Sequence, residues 1–369
     1  MQRGSPKVRR KGDHLKQEKV KEVLTDLVLI KSTSEDDSKP IVDYVSARLG
    51  RLGLRPRLLG DDKHPAIVVR SGDGGVALSG HLDTVPHGTD WKHEDGEFVD
   101  GKLYGRGACD MKAGCTAMLL AAEELVAANV PFSLCFTTDE ETTMLGAGEA
   151  AKDPAIKSAP AVIVTEPTAF DIVVKEKGLL HFSITTRGVA AHASMPELGE
   201  NAISKMVRIL SKMDDLQRIP KNPTQEMTMC ADTIHGGTRI NVIPDCCTAE
   251  IDVRYPPSMN TESVLKLVRD RAGGDGHEIK ILHELDPVET DMSLPAVQRL
   301  KELVGPKANI TSVPYATEMV MFKDANKALM VCGPGDPRIC HCNDEHVELA
   351  QIVKAVELYR EYCTAMTGE

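Results

Sequence analysis

Apolar positions along the chain recur first with a helical period and then with the spacing of buried strands. Residues 20–29 and 41–52 read as two opening helices, the second carrying Ile41, Val45, Leu49 and Leu52 on one face, with a polar stretch at 31–39 between them. The period then changes. Short apolar runs at 66–69 and 76–78, bounded by Gly and Asp, predict buried strands. A long helix is predicted at 113–128, with Met118, Leu119, Ala122, Leu125 and Val126 at core spacing, and strand-like runs follow at 132–136 and 161–164. Such alternation predicts an α/β sheet, in which ligands gather beyond the carboxyl ends of the strands.

From Glu176 the pattern is strand (179–186), helix (199–213), two strands (226–234 and 248–254), helix (261–271) and strand (278–283). This βαββαβ order predicts a ferredoxin-like α+β unit. The α/β features resume at 294–304 and 328–332 and in a closing helix at 344–362. The expected organisation is a discontinuous first domain, residues 1–175 and 285–369, interrupted by a second at 176–284.

Length and composition agree with two cores, since 369 residues with 41% hydrophobic content exceed one ordinary domain. The formal net charge of -11 argues against a nucleic-acid partner, which needs clustered Lys and Arg. The basic stretch 7–21 has no apolar core and is interrupted or bordered by Asp13, Glu18 and Glu22, so it reads as a solvated arm leading into the first helix rather than a signal peptide. No apolar run approaches membrane-spanning length, and a cytoplasmic location without a membrane partner is expected. The ten cysteines include no Cys-x-x-Cys pair and are expected to be free thiols.

Five metal-philic side chains fall after predicted strand ends: His81, Asp110, Glu141, Glu166 and His341, with Glu140 beside the third. Two zinc ions and a hydrolytic water need such a set, in which one carboxylate bridges and another, outside the coordination shell, takes a proton. The strings carrying them are Ser79-Gly80-His81-Leu82-Asp83-Thr84-Val85-Pro86, Tyr104-Gly105-Arg106-Gly107-Ala108-Cys109-Asp110-Met111-Lys112, Thr138-Asp139-Glu140-Glu141, Thr165-Glu166-Pro167-Thr168 and His341-Cys342-Asn343-Asp344-Glu345-His346-Val347. In order and spacing they resemble the M20 metallopeptidase family, over nearly the whole chain.

The resemblance implies a zinc-peptidase-like catalytic domain, a mixed sheet flanked by helices, with an inserted ferredoxin-like dimerisation domain. It implies two divalent metal ions per subunit, zinc first, with cobalt or manganese as alternatives. His81, Asp110 and Glu166 would hold one ion, and Asp110, Glu141 and His341 the other. Asp83 would accept a hydrogen bond from the second ring nitrogen of His81, Glu140 would be the general base, and the Asp110–Met111 peptide would be cis. In the second domain, His192 matches a substrate-polarising histidine that reaches the other subunit's site in a homodimer, and Asn241 and Arg254 match substrate-contacting positions. A guanidinium suits a carboxylate because its planar fork binds bidentately. The implied activity is hydrolysis of the amide of a small N-acyl amino acid, most like acetylornithine deacetylase. A desuccinylase or carrier-linked amino acid hydrolase, a dipeptidase or carboxypeptidase, and a catalytically inactive, metal-stabilised dimeric binding protein are the alternatives.

Overall fold

A computed structural model describes residues 11–274 and 276–367. They divide into two units: one takes the chain up to Val174 with Thr290–Thr311 and the chain from Thr317, the other Lys175–Glu289 with Ser312–Ala316. The second unit thus ends five residues beyond the break expected after 284 and includes a short string from the later part of the chain.

In chain order the first unit opens with α1 (Lys11–Leu29), α2 (Lys39–Arg51), β1 (Arg57–Leu59), β2 (Ala66–Ser71), β3 (Val76–His81), β4 (Phe98–Val99), β5 (Lys102–Tyr104), α3 (Lys112–Ala127), β6 (Phe132–Thr137), α4 (Leu145–Ala150), α5 (Pro154–Lys157), β7 (Val162–Val164) and β8 (Ile172–Glu176). Next come β9 (Gly178–Arg187), α6 (Ala202–Lys212), β10 (Thr228–Gly236), β11 (Cys246–Tyr255), α7 (Thr261–Ala272), β12 (His277–Leu285) and β13 (Val288–Glu289). The chain closes with α8 (Pro295–Val304), β14 (Ile310–Val313), α9 (Met319–Phe322), β15 (Leu329–Val331), β16 (His346–Glu348) and α10 (Leu349–Met366).

The sheet of the first unit runs β1-β2-β6-β3-β7-β15-β8. Its centre, β6, β3, β7 and β15, is parallel, whereas β2 and β8 pair antiparallel to their neighbours. Every residue of β3 and β6 is buried, as expected of parallel strands covered on both faces. The shared direction of the central strands puts the carboxyl ends of β3, β6 and β7 together. Helix α3, buried almost all round, packs against α10, α1, β3 and β6 in one core with Leu78, Leu134, Ile163, Met330 and Tyr359.

Two expectations need correction here. The stretch read as a solvated arm is helical from Lys11 onward, and on it Lys16 pairs with Glu357 at 3.0 Å and Lys19 with Glu123 on neighbouring helices. Residues 7–10 of that stretch lie outside the described residues. The closing helix starts at Leu349 rather than 344: His346, Val347 and Glu348 pair as β16 with Tyr104, Leu103 and Lys102 of β5, in a small sheet β16-β5-β4.

In the second unit the antiparallel order is β10-β11-β9-β12. Leu180, Phe182 and Ile184 of β9 and Ala249, Ile251 and Val253 of β11 alternate into a core with Met206, Ile209, Val264 and Val268 from the two helices. Helix α6 begins at Ala202 rather than 199 because the Asn201 side chain accepts the Ser204 amide at 3.0 Å and caps it.

Candidate metal centre

The parallel strands of the first unit deliver the predicted ligands from one end. His81 is the last residue of β3, Glu140 and Glu141 follow β6, and Glu166 follows β7. Asp110 sits at the turn into α3, where the Asp110–Met111 peptide is cis, as the resemblance implied. His341, with φ 61°, comes from the segment after β15. That segment passes so close to Glu166 that a Cβ on Gly333 would lie 2.2 Å from the Thr165 carbonyl oxygen.

Asp110 divides its two oxygens. Oδ1 lies 3.3 Å from His81 Nε2 and Oδ2 lies 3.3 Å from His341 Nε2. Glu166 Oε1 is 3.3 Å from His81 Nε2, and Glu141 Oε1 is 3.1 Å from His341 Nε2. Glu140 approaches His81 Nε2 only to 3.9 Å. The sets His81, Asp110, Glu141 and His81, Glu140, Glu166 each bring ligand atoms within 4.8 Å of one another. His81 is buried, whereas the His341 side chain is 53% exposed.

The electrostatics follow from this crowding. Burial would raise the Asp110 carboxyl, but the two imidazoles hold it well below the usual carboxylate range. Burial pushes Glu140 far up, reinforced by the charges of Glu166, Glu141 and Asp110, and it pushes Glu166 up to about 8. Burial works against protonation of His81, yet Glu166, Asp110 and Asp83 raise it well above an ordinary imidazole. Hydrogen bonds to Asp110 and Glu141 raise His341 to about 10. Converging carboxylates that repel one another, interleaved with imidazole nitrogens, form a donor set that divalent cations relieve and that matches zinc's preference for nitrogen and oxygen ligands. The residues therefore fit such ions.

Asp83 behaves differently from the expectation. His81 Nδ1 lies 2.9 Å from the Asp83 main-chain oxygen, while the carboxylate is 3.5 Å away. Instead the carboxylate accepts the amides of Glu140 at 3.2 Å and Glu141 at 3.0 Å. Both amides lie in the loop that follows β6, so Asp83 fixes the backbone from which the Glu140 and Glu141 side chains project.

Three buried carboxylates around the centre were not singled out from the sequence. Asp139 accepts the Thr143 hydroxyl and the amides of Leu145 and Gly146, holding the loop that carries Glu140 and Glu141. Glu318 accepts Ser79 Oγ at 3.2 Å and the Thr137 hydroxyl, joining β3 to β6 beneath His81, and burial pushes it up to about 7. Glu345, 1% exposed, accepts Arg106 Nη1 at 2.7 Å and the Gly107 amide at 3.2 Å on one oxygen. Its other oxygen takes the amides of Cys109 and Asp110, each at 2.9 Å. The one available signal for Glu345 and Asp139 was their place inside motif strings as acids without an assigned task. All ten cysteines are free thiols; those flanking Asp110 and His341, Cys109 and Cys340, have their sulfurs 4.0 Å apart.

His192, Asn241 and Arg254 belong to the second unit and are described within it. His192 and Asn241 lie on neighbouring exposed loops, joined by the Ala193 amide donating to the Asn241 carbonyl at 3.0 Å. Ser194 Oγ lies 2.8 Å from His192 Nδ1. Arg254 Nε donates to Asp252 at 3.0 Å, and His181 Nε2 lies 2.7 Å from the same carboxylate. Val189, Leu198 and Ile240 are exposed on these loops. Among the described residues, no helix is long and apolar enough to cross a membrane.

A mixed sheet whose parallel strands end at two imidazoles and a cluster of carboxylates is the build of a metal-dependent hydrolase. The sequence profile of peptidase family M20/M25/M40 matches residues 77–365, and the chain belongs to that family. Its relatives include an acetylornithine deacetylase from Myxococcus xanthus, 30% identical over 359 residues that cover 90% of this chain and 93% of that protein. A probable succinyl-diaminopimelate desuccinylase from Staphylococcus epidermidis is 27% identical over 393 residues, covering 94% and 96%. In fold the chain is similar to a Bacillus subtilis dinuclear metal binding peptidase, with a TM-score of 0.74, 16% identity and 96% and 99% coverage. The chain is thus a hydrolase acting on amide or peptide bonds.

Proposed function

We propose that the protein is a dinuclear-metal amidohydrolase that removes the acyl group from a small N-acyl amino acid. The division of Asp110 between His81 and His341 carries the reading, since a carboxylate with an imidazole at each oxygen is placed to serve two ions. His81, Asp110 and Glu166 would hold one ion, and Asp110, Glu141 and His341 the other, with zinc first and cobalt or manganese as alternatives. Two ions there would supply Lewis acidity, polarising the amide carbonyl and making a water acidic enough to attack at neutral pH.

The remaining tasks fall to the chain's own groups. Glu140, once bound ions offset the burial and the neighbouring carboxylates that push it up, would take the proton of the attacking water and pass it to the leaving amine, a task for a carboxylate close to the ligands but not among them. Asp83 keeps Glu140 and Glu141 apart by holding both their amides. His192 donates to the substrate carbonyl oxygen, Asn241 contacts the substrate, and Arg254, oriented by Asp252, meets its carboxylate. The same reading makes the protein a cytoplasmic homodimer in which His192 acts across the interface, supported by the exposed Val189, Leu198 and Ile240 beside it.

The Myxococcus deacetylase relative favours an acetyl group and an ornithine-like amine. The Staphylococcus relative favours a succinyl group. One or two methylenes change specificity by only about 1–3 kcal/mol, so a substrate panel must decide. N-acetyl, N-succinyl and dipeptide substrates are assayed with zinc and with cobalt. Chelation is expected to abolish activity and a divalent ion to restore it, while Asp110→Ala loses both ions by elemental analysis. An active preparation with well under one ion per chain refutes the reading.

A further inference from the structure

We propose that Glu345 sets the bridging carboxylate in place: it holds the turn ending in Asp110 from behind, while the same segment of chain supplies His341 from the front. The inference rests on the two-ion reading above and adds a positioning residue to it.

Each oxygen of Glu345 takes two donors. One holds Arg106 Nη1 and the Gly107 amide, the other the amides of Cys109 and Asp110. The Gly105 amide adds a bond to the Glu345 main-chain oxygen at 2.9 Å. The turn therefore wraps around a buried carboxylate, much as a nest of backbone amides wraps an anion. Gly107 makes the wrapping possible: its φ is 79°, and a Cβ there would collide with Thr84 Cγ2 at 2.4 Å. Beyond Glu345 the segment is pinned again: Asp344 accepts the amides of Lys92 at 2.7 Å and His93 at 3.1 Å, and Asn343 donates to the Thr89 carbonyl. Four residues before Glu345, His341 reaches Asp110 Oδ2 and Glu141.

The plainer alternative is a buried Arg106–Glu345 ion pair that serves stability alone. Buried pairs contribute little net stability, and only one of the four side-chain bonds goes to Arg106. The amides are those of the turn that ends in the bridging ligand itself. Partners behind a ligand commonly change metal affinity by about 10–100-fold when removed. The His341 side should suffer most, because His341 is the more exposed imidazole and sits on the same segment as Glu345, so losing Glu345 loosens both Asp110 and His341 there.

The test is a titration of metal-free protein with zinc against a chromophoric chelator, with melting temperature recorded in parallel. Wild type should take up two ions. Glu345→Gln places an amide where one oxygen met two donors, and it should weaken uptake of the second ion at least about tenfold while the protein remains folded. Arg106→Met breaks the ion pair but leaves the Cys109 and Asp110 amides on Glu345. It should lower the melting temperature and keep zinc affinity within about threefold of wild type. Unchanged affinity in folded Glu345→Gln, or an equal loss in Arg106→Met, overturns the proposal. A wild type that binds fewer than two ions refutes the two-ion reading instead. Should Glu345→Gln fail to fold, hydrogen exchange on metal-free wild type decides. Amides of Cys109 and Asp110 that are slow without ions support Glu345 as the organiser, and amides that become slow only after zinc is added overturn it.

Discussion

Glu140 and Glu141 are adjacent, yet they stand in different relations to the imidazoles. Glu141 is 3.1 Å from His341, whereas Glu140 stays 3.9 Å from His81, and Asp83 holds the amides of both. Glu140→Gln is therefore expected to keep its metal content by elemental analysis and its fold by circular dichroism. Turnover should fall by roughly a hundredfold or more, the scale of lost proton transfer; near-normal turnover would take Glu140 out of the mechanism. At this scale the sequence displayed much of the cluster, because His81, Asp110, Glu140, Glu141 and Glu166 lie in compact strings next to strand ends. The acids behind them were hidden by the nature of the signal. Glu318 and Glu345 are polar residues whose burial depends on elements far away in the chain, and no local pattern reports that a carboxylate faces inward. Asp83 was visible, but its hydrogen-bond partners were not.

Among the elements, the strand β1 and the short helix α5 are joined by one acid. Asp153 caps α5 by accepting the Ala155 amide at 2.8 Å, and it receives Arg57 of β1 at 2.7 and 2.9 Å. Burial would raise this carboxyl, but the bonds from Arg57 and Ala155 outweigh it and leave it below its ordinary value. A carboxyl depressed in the folded state contributes stability above its unfolded pKa of about 3.9 and loses that contribution as pH falls through the folded value. The stability gap between wild type and Asp153→Asn, read by urea unfolding, should be full at neutral pH and close below about pH 4. A gap that stays constant from neutral pH to about pH 3 would discard this role. Elements of this size also mark where sequence periodicity stops. The buried runs of β3, β6 and β7 were legible because parallel strands are apolar throughout. The two- and three-residue strands β4, β5 and β16 are too short to show a period, and their pairing is decided by the turn they hold.

For the whole molecule, the proposed homodimer makes a quantitative statement. Neither Glu140→Ala nor His192→Ala homodimers should turn over substrate well. If His192 acts across the interface, equal random mixing gives about half mixed dimers with one intact site of two, so about a quarter of wild-type activity returns. Confirmed subunit exchange without recovery, or a monomer in solution, would count against it. The βαββαβ order of the second unit was readable because its helices carry clean apolar stripes, while the exact joints were not, since Ser312–Ala316, distant in sequence, is grouped with that unit by contacts that no local pattern reports. The discontinuity of the first unit also has a consequence for biogenesis. His81 through Glu166 leave the ribosome long before His341 and Glu345, with the entire second unit synthesised in between. At about 5–20 residues per second, the delay is on the order of ten seconds or more. Throughout that interval the nascent chain displays carboxylates and an imidazole without the segment that closes around them. On the two-ion proposal, ions captured early would be held by a partial set of donors, so complete metalation would wait for the last moments of synthesis and for the pool of free ions the finished chain meets.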